Sequence, residues 1–482
     1  MSRLLSVLAV LCTMAGALPR ALAAQPTTGT FRSDAPLMLD EVLRASARSA
    51  PQIVEALARV RQAEGRALSA EGAFDTVFDV NGRSRTLGYY DGSVVDARAT
   101  RPLTGNGGYL YGGYRVSRGD FPIYEDQAYT NRLGELKVGG LFALMRDRLV
   151  DERRTRRTLA AGDLDVARFE GQAVAIGVQR RAIDAYQNWV AAGLRLRAYR
   201  DLLELAQSRG GAIRRQVELG ARPQILLTEN DQNLVRRRAL AIRAEQDFAA
   251  AANGLSLYFR DEQGRPILAG AARLPADAGA LVGPAVARVG PPVTRPDLQT
   301  LTARVEQSMT RLMLAENDLK PRVDLQGELG KDLGPEGIGG SSRTPLEAVV
   351  GFRLSVPLQN RAARGRVAEA RAEIDALETR GRFLREQIAV EVEGINIAVE
   401  GTEKLVAAAE EERTLADRLA AAERRRFELG SSDFFLVNQR EETATDARVR
   451  LIDAQARIAA ARAELASATA DRSALGLDPI GE

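Results

Sequence analysis

The feature that most restricts this 482-residue chain is that it is written twice. Glu218-Leu219-Gly220 returns as Glu428-Leu429-Gly430, an offset of 210 residues (428 − 218). The same offset carries Ile225-Leu226-Leu227 onto Phe435-Leu436-Val437 and Phe142-Ala143-Leu144 onto Phe352-Arg353-Leu354. A correspondence that keeps register from Phe142 to Leu227 is not expected by chance. Upstream the offset is 245 (303 − 58), placing Pro51 on Pro296, Ala58-Arg59-Val60 on Ala303-Arg304-Val305 and Ala70-Glu71 on Ala315-Glu316. The first half is therefore longer by about 35 residues (245 − 210), inserted between Phe74 and Glu135 where Gly and Tyr concentrate.

Each copy holds a long stretch without proline, between Pro122 and Pro223 and between Pro357 and Pro479. In the second, Val367-Ala370-Ile374-Leu377 and Val399-Val406-Leu415-Leu419 recur at threes, fours and their sums with Arg and Glu between, as on an amphipathic helix. At about 1.5 Å per residue, Arg361 to Leu429 spans on the order of 100 Å, far more than a globular domain needs. Such a rod belongs to a coiled coil, a solenoid or a tunnel wall. Many of its core positions are Ala, which allows close lateral packing.

Each half reads as short helix, extended segment, loop, extended segment, long helix, tight turn and returning helix. The extended pieces fall near Phe74–Tyr89 and Leu136–Arg146, then Arg322–Gly330 and Leu346–Leu358. In the second half Val323 and Leu325 alternate with Asp324 and Gln326, and Phe352, Leu354 and Val356 with Arg353 and Ser355, as in a strand with two unlike faces. Strands of roughly nine to eleven residues suit a membrane barrel. The division expected is 1–24 signal peptide, 25–258 first repeat, 259–294 irregular connector, 295–475 second repeat and 476–482 tail. Within the repeats it places a helix at 38–72, one strand pair and a long loop in 74–146, a helical hairpin at 148–258, a helix at 295–319, a strand pair in 321–358 and a hairpin at 361–475.

Arg3, the apolar run Leu4–Leu18 and Ala21-Leu22-Ala23 form an export signal, with the mature chain starting near Ala24 or Gln25. The apolar run is too short for a membrane-spanning helix, and nothing later approaches the length. Cys12, the one cysteine, follows Val10-Leu11 rather than a lipoprotein cleavage box, so the mature chain is expected to be cysteine-free and unlipidated. With no histidine either, the commonest nucleophile–base pairs and zinc ligand sets are missing, and neither an enzyme nor a cofactor is expected. The 67 basic and 64 acidic residues nearly cancel, which gives no basis for nucleic-acid binding.

The duplicated layout resembles the TolC-like outer membrane efflux protein family over essentially the whole mature chain. Phe352-Arg353-Leu354-Ser355-Val356-Pro357-Leu358 is similar to that family's strand-to-helix junction. Arg426-Phe427-Glu428-Leu429-Gly430 before Phe435-Leu436-Val437 resembles its helix-turn-helix tip, and Gln216-Val217-Glu218-Leu219-Gly220 before Leu226-Leu227 the first-repeat copy. The resemblance implies a mainly α fold with a membrane β-barrel. By the same resemblance, long antiparallel coiled-coil helices are expected to form a periplasmic tunnel, and four strands per subunit to complete a trimeric twelve-stranded barrel. It further implies a passive exit duct in the outer membrane, a homotrimer working with a periplasmic adaptor protein and an inner-membrane transporter and touching outer-membrane lipid. Independently of the name, a strand pair in lipid cannot leave its edges unpaired, so closure by oligomerisation is required.

Gly220 and Gly430 stand where a helix end wants a left-handed residue. By resemblance, Leu219, Gly220, Ala221, Leu429, Gly430, Ser431 and Ser432 are the adaptor-contact tips. The positions six and nine beyond the tip glycine, often acidic in the family, are Leu436 and Gln439 here, and Leu226 and Glu229 in the first copy. An aspartate ring is therefore not expected, and Glu229, Asp231, Asp433, Leu436 and Gln439 are the candidates for the constriction. Arg153, Arg154, Arg156 and Arg157 follow the first extended pair, and Arg361 and Arg364 the second. They are candidates to meet lipid head groups, or solvated helix surface. Tyr89, Tyr90, Tyr109, Tyr111 and Tyr114 in the insertion are either an interfacial girdle or loop packing. The rival reading is a periplasmic coiled-coil adaptor or scaffold, which two hairpins, each preceded by extended segments, argue against.

Overall fold

A computed structural model describes residues 35–277, 279, 288–292 and 294–477; the expected signal peptide, 1–24, lies outside them. The chain runs α1 (Leu39–Ser49), α2 (Pro51–Glu71), β1 (Val77–Ser84), β2 (Ser93–Pro102), β3 (Tyr109–Arg118), β4 (Glu135–Ala143), α3 (Glu152–Glu218) and α4 (Ile225–Leu255). After the connector come α5 (Pro296–Asn317), β5 (Arg322–Asp332), β6 (Glu347–Ser355), α6 (Arg361–Glu428) and α7 (Phe434–Ala468).

The helix expected at 38–72 is two helices. Pro51 has no N–H to continue the ladder and forces the residue before it out of the helical region, so Ala50 is extended at φ −66°, ψ 124°. The same proline then opens α2 from its first turn, as Pro296 opens α5.

A second correction concerns the strands. The first half holds four rather than one pair, because the insertion folds as the β2–β3 hairpin instead of a loop. All six described strands form one antiparallel meander, β1-β2-β3-β4-β5-β6. Where four strands per chain were expected, the sheet of one chain holds six among the described residues.

The two longest helices contain 67 and 68 residues, which at 1.5 Å each makes rods of roughly 100 Å. Asp151 caps α3 by accepting from the N–H groups of Arg153 and Arg154. Each rod has two shorter companions: α3 packs against α2 and α4, and α6 against α5 and α7. Contacts of α3 with α5 and α7 join the halves into one wall. The short helices thus continue the line of the returning helices, which is why one repeat unit needs both.

The main core lies where α1, α3, α4 and α7 meet the connector. Trp189, Tyr186, Val190, Leu255, Phe259 and Ile452 are buried together there. The Trp189 ring stacks on Phe248 at 6.1 Å, and the Tyr186 hydroxyl donates to the Leu37 carbonyl at 2.8 Å. Burial of each such side chain contributes about 1.5–3 kcal/mol. Elsewhere the seams are narrow and rich in alanine, such as Ala416, Ala420, Ala444 and Ala447 between α6 and α7.

Candidate functional site

Residue pairing across the sheet sorts its side chains into two faces. Partners in register point the same way, so one face can be followed from edge to edge. It begins with Phe78 and Val80 on β1, opposite Ala99 and Ala97 on β2. It continues through Val95 to Val116, Tyr114 and Leu110 on β3. Leu136, Val138 and Phe142 on β4 follow, then Leu329 and Leu325 on β5, and finally Val350, Phe352 and Leu354 on β6. Nearly every position on this face, from Phe78 to Leu354, is apolar or glycine, and its large residues are exposed, Phe352 at 79%. The opposite face carries Asp79, Arg98, Arg115, Glu135, Lys137, Asp324, Glu328 and Arg353.

Ion pairs lace the polar face together. The Arg115 guanidinium pairs with Glu135, and Lys137 Nζ lies 3.1 Å from Glu135 and 2.9 Å from Glu328. Tyr111 on β3 donates its hydroxyl to Glu328 on β5, reaching across β4. It crosses at Gly139, where a Cβ would sit 2.6 Å from the tyrosine ring. Of the tyrosines noted in the sequence, Tyr109 and Tyr111 therefore lie on the polar face, Tyr114 on the apolar one, and Tyr89 is almost fully exposed in the β1–β2 loop.

At the far end of the rods the two helix-turn-helix tips share one geometry. Gly220 and Gly430 are left-handed at φ +71° and +76°. Ala221 N–H donates to the Gln216 carbonyl and Gly220 N–H to Val217; Ser431 N–H donates to Arg426 and Gly430 N–H to Phe427. This paired pattern satisfies carbonyls that a helix end would leave open. Leu219 and Leu429 project into solvent, 83% and 78% exposed. The tips touch each other through Arg222, whose guanidinium lies 5.7 Å from the Phe427 ring centre.

The constriction candidates do not converge. Glu229, Asp231 and Gln439 are exposed, and Leu436 is half-buried. Asp433 caps α7, its Oδ1 accepting from Leu436 N–H at 2.8 Å. The charge that does gather partners is Glu441, which the sequence reading passed over. Its carboxylate is 1% exposed, accepts from Arg209 of α3 and from Arg237 Nη1 of α4 at 3.3 Å, and lies 3.7 Å from Arg424 Nε of α6. Asn438 Oδ1 accepts from Arg209 at 2.9 Å and from Arg237 at 3.1 Å. Burial pulls the Arg237 guanidinium below its ordinary value, against the raising effect of Glu441. A clue was present, since Glu441 is the 210-offset counterpart of Asp231. Its cations were not so marked, because the counterparts of Arg209 and Arg237 are Leu419 and Ala447.

The arginines at the strand–helix junction divide. Arg153 donates to the Gly107 carbonyl at 2.7 Å, and Arg154 to those of Asp147 and Arg148, so both fasten the junction. Arg157 lies 5.0 Å over the Phe74 ring, and Arg156 pairs with Glu152 at 2.9 Å. Arg361 and Arg364 are exposed. On α6, Phe383, Val390 and Ile397 are exposed at intervals of seven residues, the seam spacing of a coiled coil.

Among the described residues no helix is long and apolar enough to cross a membrane. No curated protein matches the chain in sequence. Solved structures match its fold at low identity. The CmeC outer membrane channel of Campylobacter jejuni superposes with a TM-score of 0.59 at 14% identity, over 92% of this chain and 87% of that one. VceC, an outer membrane protein of Vibrio cholerae, gives 0.59 at 14% over 89% and 95%. The open state of the Neisseria gonorrhoeae MtrE outer membrane channel gives 0.58 at 12% over 89% and 88%. A family profile described as outer membrane efflux protein matches residues 293–471. Residues 293–471 therefore match the outer membrane efflux protein family, and the fold is shared along most of the chain's length with solved outer-membrane channels.

Proposed function

We propose that this protein is an outer-membrane channel subunit, a passive exit duct through which substrates leave by way of a periplasmic adaptor and an inner-membrane transporter. The observation that carries the reading is the sheet's apolar face, with charge only at its rims in Arg101, Arg118 and Lys331, set opposite a charged face and continued by two rods of about 100 Å. In lipid every backbone group must be paired, so such a sheet closes with other copies of itself, apolar face to the acyl chains and charged face to a water-filled lumen. The heptad seam on α6 is suited to a helix of the neighbouring copy, and a homotrimer is the assembly that the family resemblance supports. Arg156, Arg361 and Arg364, just beyond the strands, suit the inner-leaflet head groups. Leu219 to Ala221 and Leu429 to Ser431, which are exposed, with the half-buried Ser432 beside them, suit an adaptor, since both turns are rigidly made. Glu229, Asp231, Asp433, Leu436 and Gln439 are nearest to that end and are proposed to line it. The work of export lies in the transporter, and this chain conducts by diffusion.

The test is fractionation followed by planar-bilayer recording. The protein should be recovered with outer membrane, need detergent for extraction, and give unitary conductance steps after purification. Recovery in the soluble periplasm without detergent would favour an adaptor or scaffold and sink the channel.

A further inference from the structure

We propose that each copy gives the membrane wall six strands rather than four, so that three copies close an eighteen-stranded barrel in which β1 of one copy pairs with β6 of the next. The inference rests on the channel reading above and concerns the built form of its outlet.

The β2–β3 hairpin is what makes the difference, and three observations place it in the wall. First, it keeps the two-faced pattern in register with its neighbours. Val95, Ala97 and Ala99 on β2, with Leu110, Tyr114 and Val116 on β3, extend the apolar face from β1 to β4, while Asp96, Arg98, Thr100 and Arg115 share the polar one. A hairpin standing in water above a barrel has no reason to expose an apolar row that matches the lipid-facing rows beside it.

Second, the hairpin spans the full height of the sheet. β2 descends to Pro102 and its turn lies at the end where the helices begin. Asn106 in that turn donates to the Ala143 carbonyl and accepts from Ala143 N–H, both at 2.9 Å, and Arg153 of α3 binds the Gly107 carbonyl. Both strands have ten residues, enough to cross the apolar layer.

Third, the polar face ties the hairpin to β4 through the Arg115–Glu135 ion pair and to β5 through Tyr111. Arg98 lies 4.8 Å over the ring of Tyr111, which in turn donates to Glu328.

Parity permits the closure. β1 leads away from the helices and β6 leads back to them, so the free edges of adjacent copies meet antiparallel, like every other pair in the sheet. Both edge strands are exposed at every residue except the half-buried Gly351. Barrel diameter grows roughly in proportion to strand number, so the outlet would be about one and a half times as wide as a twelve-stranded one.

Single cysteines test this, because the chain's one cysteine, Cys12, falls in the expected signal peptide. The variants are Val95→Cys, Asp96→Cys, Ala97→Cys and Thr100→Cys on β2, with Leu325→Cys and Gln326→Cys on β5 as reference. The protein is reconstituted in phosphatidylcholine vesicles. Labelling by a membrane-impermeant maleimide and quenching of a thiol-attached fluorophore by brominated lipid are then measured. Asp96→Cys and Thr100→Cys should label like Gln326→Cys, and Val95→Cys and Ala97→Cys should be quenched like Leu325→Cys. Uniform water access along β2 while β5 alternates overturns the six-strand wall and leaves the channel standing. Loss of alternation on β5 as well overturns the channel reading. For closure, Val80→Cys is combined in turn with Ala348→Cys, Val350→Cys and Phe352→Cys and oxidised. A ladder ending at three copies is expected. No ladder, a ladder ending elsewhere, or an intrachain disulfide in Val80→Cys/Val138→Cys, which would put β1 beside β4, overturns it.

Discussion

Substituting Glu441 by alanine tests whether the buried charge cluster holds the two hairpins together near their tips. Among the described residues Glu441 is the carboxylate paired with Arg237, whose side chain is 0% exposed. Truncation would leave that guanidinium buried with only the Leu202 carbonyl and Asn438 as partners, at 3.2 and 3.1 Å. Removing one member of a buried ion pair typically costs about 3–5 kcal/mol, because the other charge remains desolvated. The cluster joins α3 and α4 to α6 and α7, so the cost falls on their association and not on any one helix. If local opening governs exchange, that energy corresponds to roughly a hundred- to few-thousand-fold faster amide exchange, at about 1.4 kcal/mol per tenfold. The affected amides are those near Leu202–Arg209, Arg237 and Asn438–Glu441. Hydrogen exchange by mass spectrometry on the detergent-solubilised protein reads this directly, and bilayer recording should show a larger resting conductance if the same contact holds the tips closed. Glu441→Gln combined with Arg237→Met should recover part of the loss, since the fully buried cation is then gone, while Arg209, 11% exposed, keeps only Asn438 as a partner. Exchange in Glu441→Ala that matches the parent protein to within about 0.5 kcal/mol would refute the reasoning, because that is the range of surface substitutions.

Other outcomes can be checked separately. Asp433→Ala removes the α7 cap and should cost about 1 kcal/mol, seen as faster exchange confined to the first turn after Ser432. Tyr186, buried and with its phenol pushed up to about 12, stabilises the fold fully below the unfolded value near pH 10 and loses that contribution as pH rises toward 12. Tyr186→Phe should therefore flatten the alkaline limb of a melting-temperature profile, and an unchanged limb would argue against the assignment. Phe352→Arg places a cation on the apolar face of β6; it should cost about 2–4 kcal/mol if that face meets mid-bilayer lipid, read as reduced folding into vesicles, whereas no effect would argue against lipid there.

Much of the tip geometry was readable in advance because it is local. A glycine that ends a helix in the left-handed region is recognised from its neighbours alone, and the repetition of Glu-Leu-Gly at 218 and 428 located both turns. Arg209, Arg237 and Glu441 were not readable in this way. They lie on three different helices, and which face each helix turns inward depends on packing over its full length. The β2–β3 hairpin was missed for a related reason. Its strands contain Gly112 and Gly113 and short side chains such as Ala97 and Ala99, so the isolated segment reads as a glycine-rich loop.

The duplication, the two rods and their turns follow from period, proline placement and contacts only a few residues apart, all of which are carried in the order of residues. The tertiary structure alone decided how many strands the sheet has and where the buried charge sits. A strand has no internal hydrogen bonds and exists only against a partner, and β2 and β3 are defined by β1 and β4 on either side. Likewise Glu441 differs from the many exposed glutamates of these helices only in the three arginines that packing brings to it.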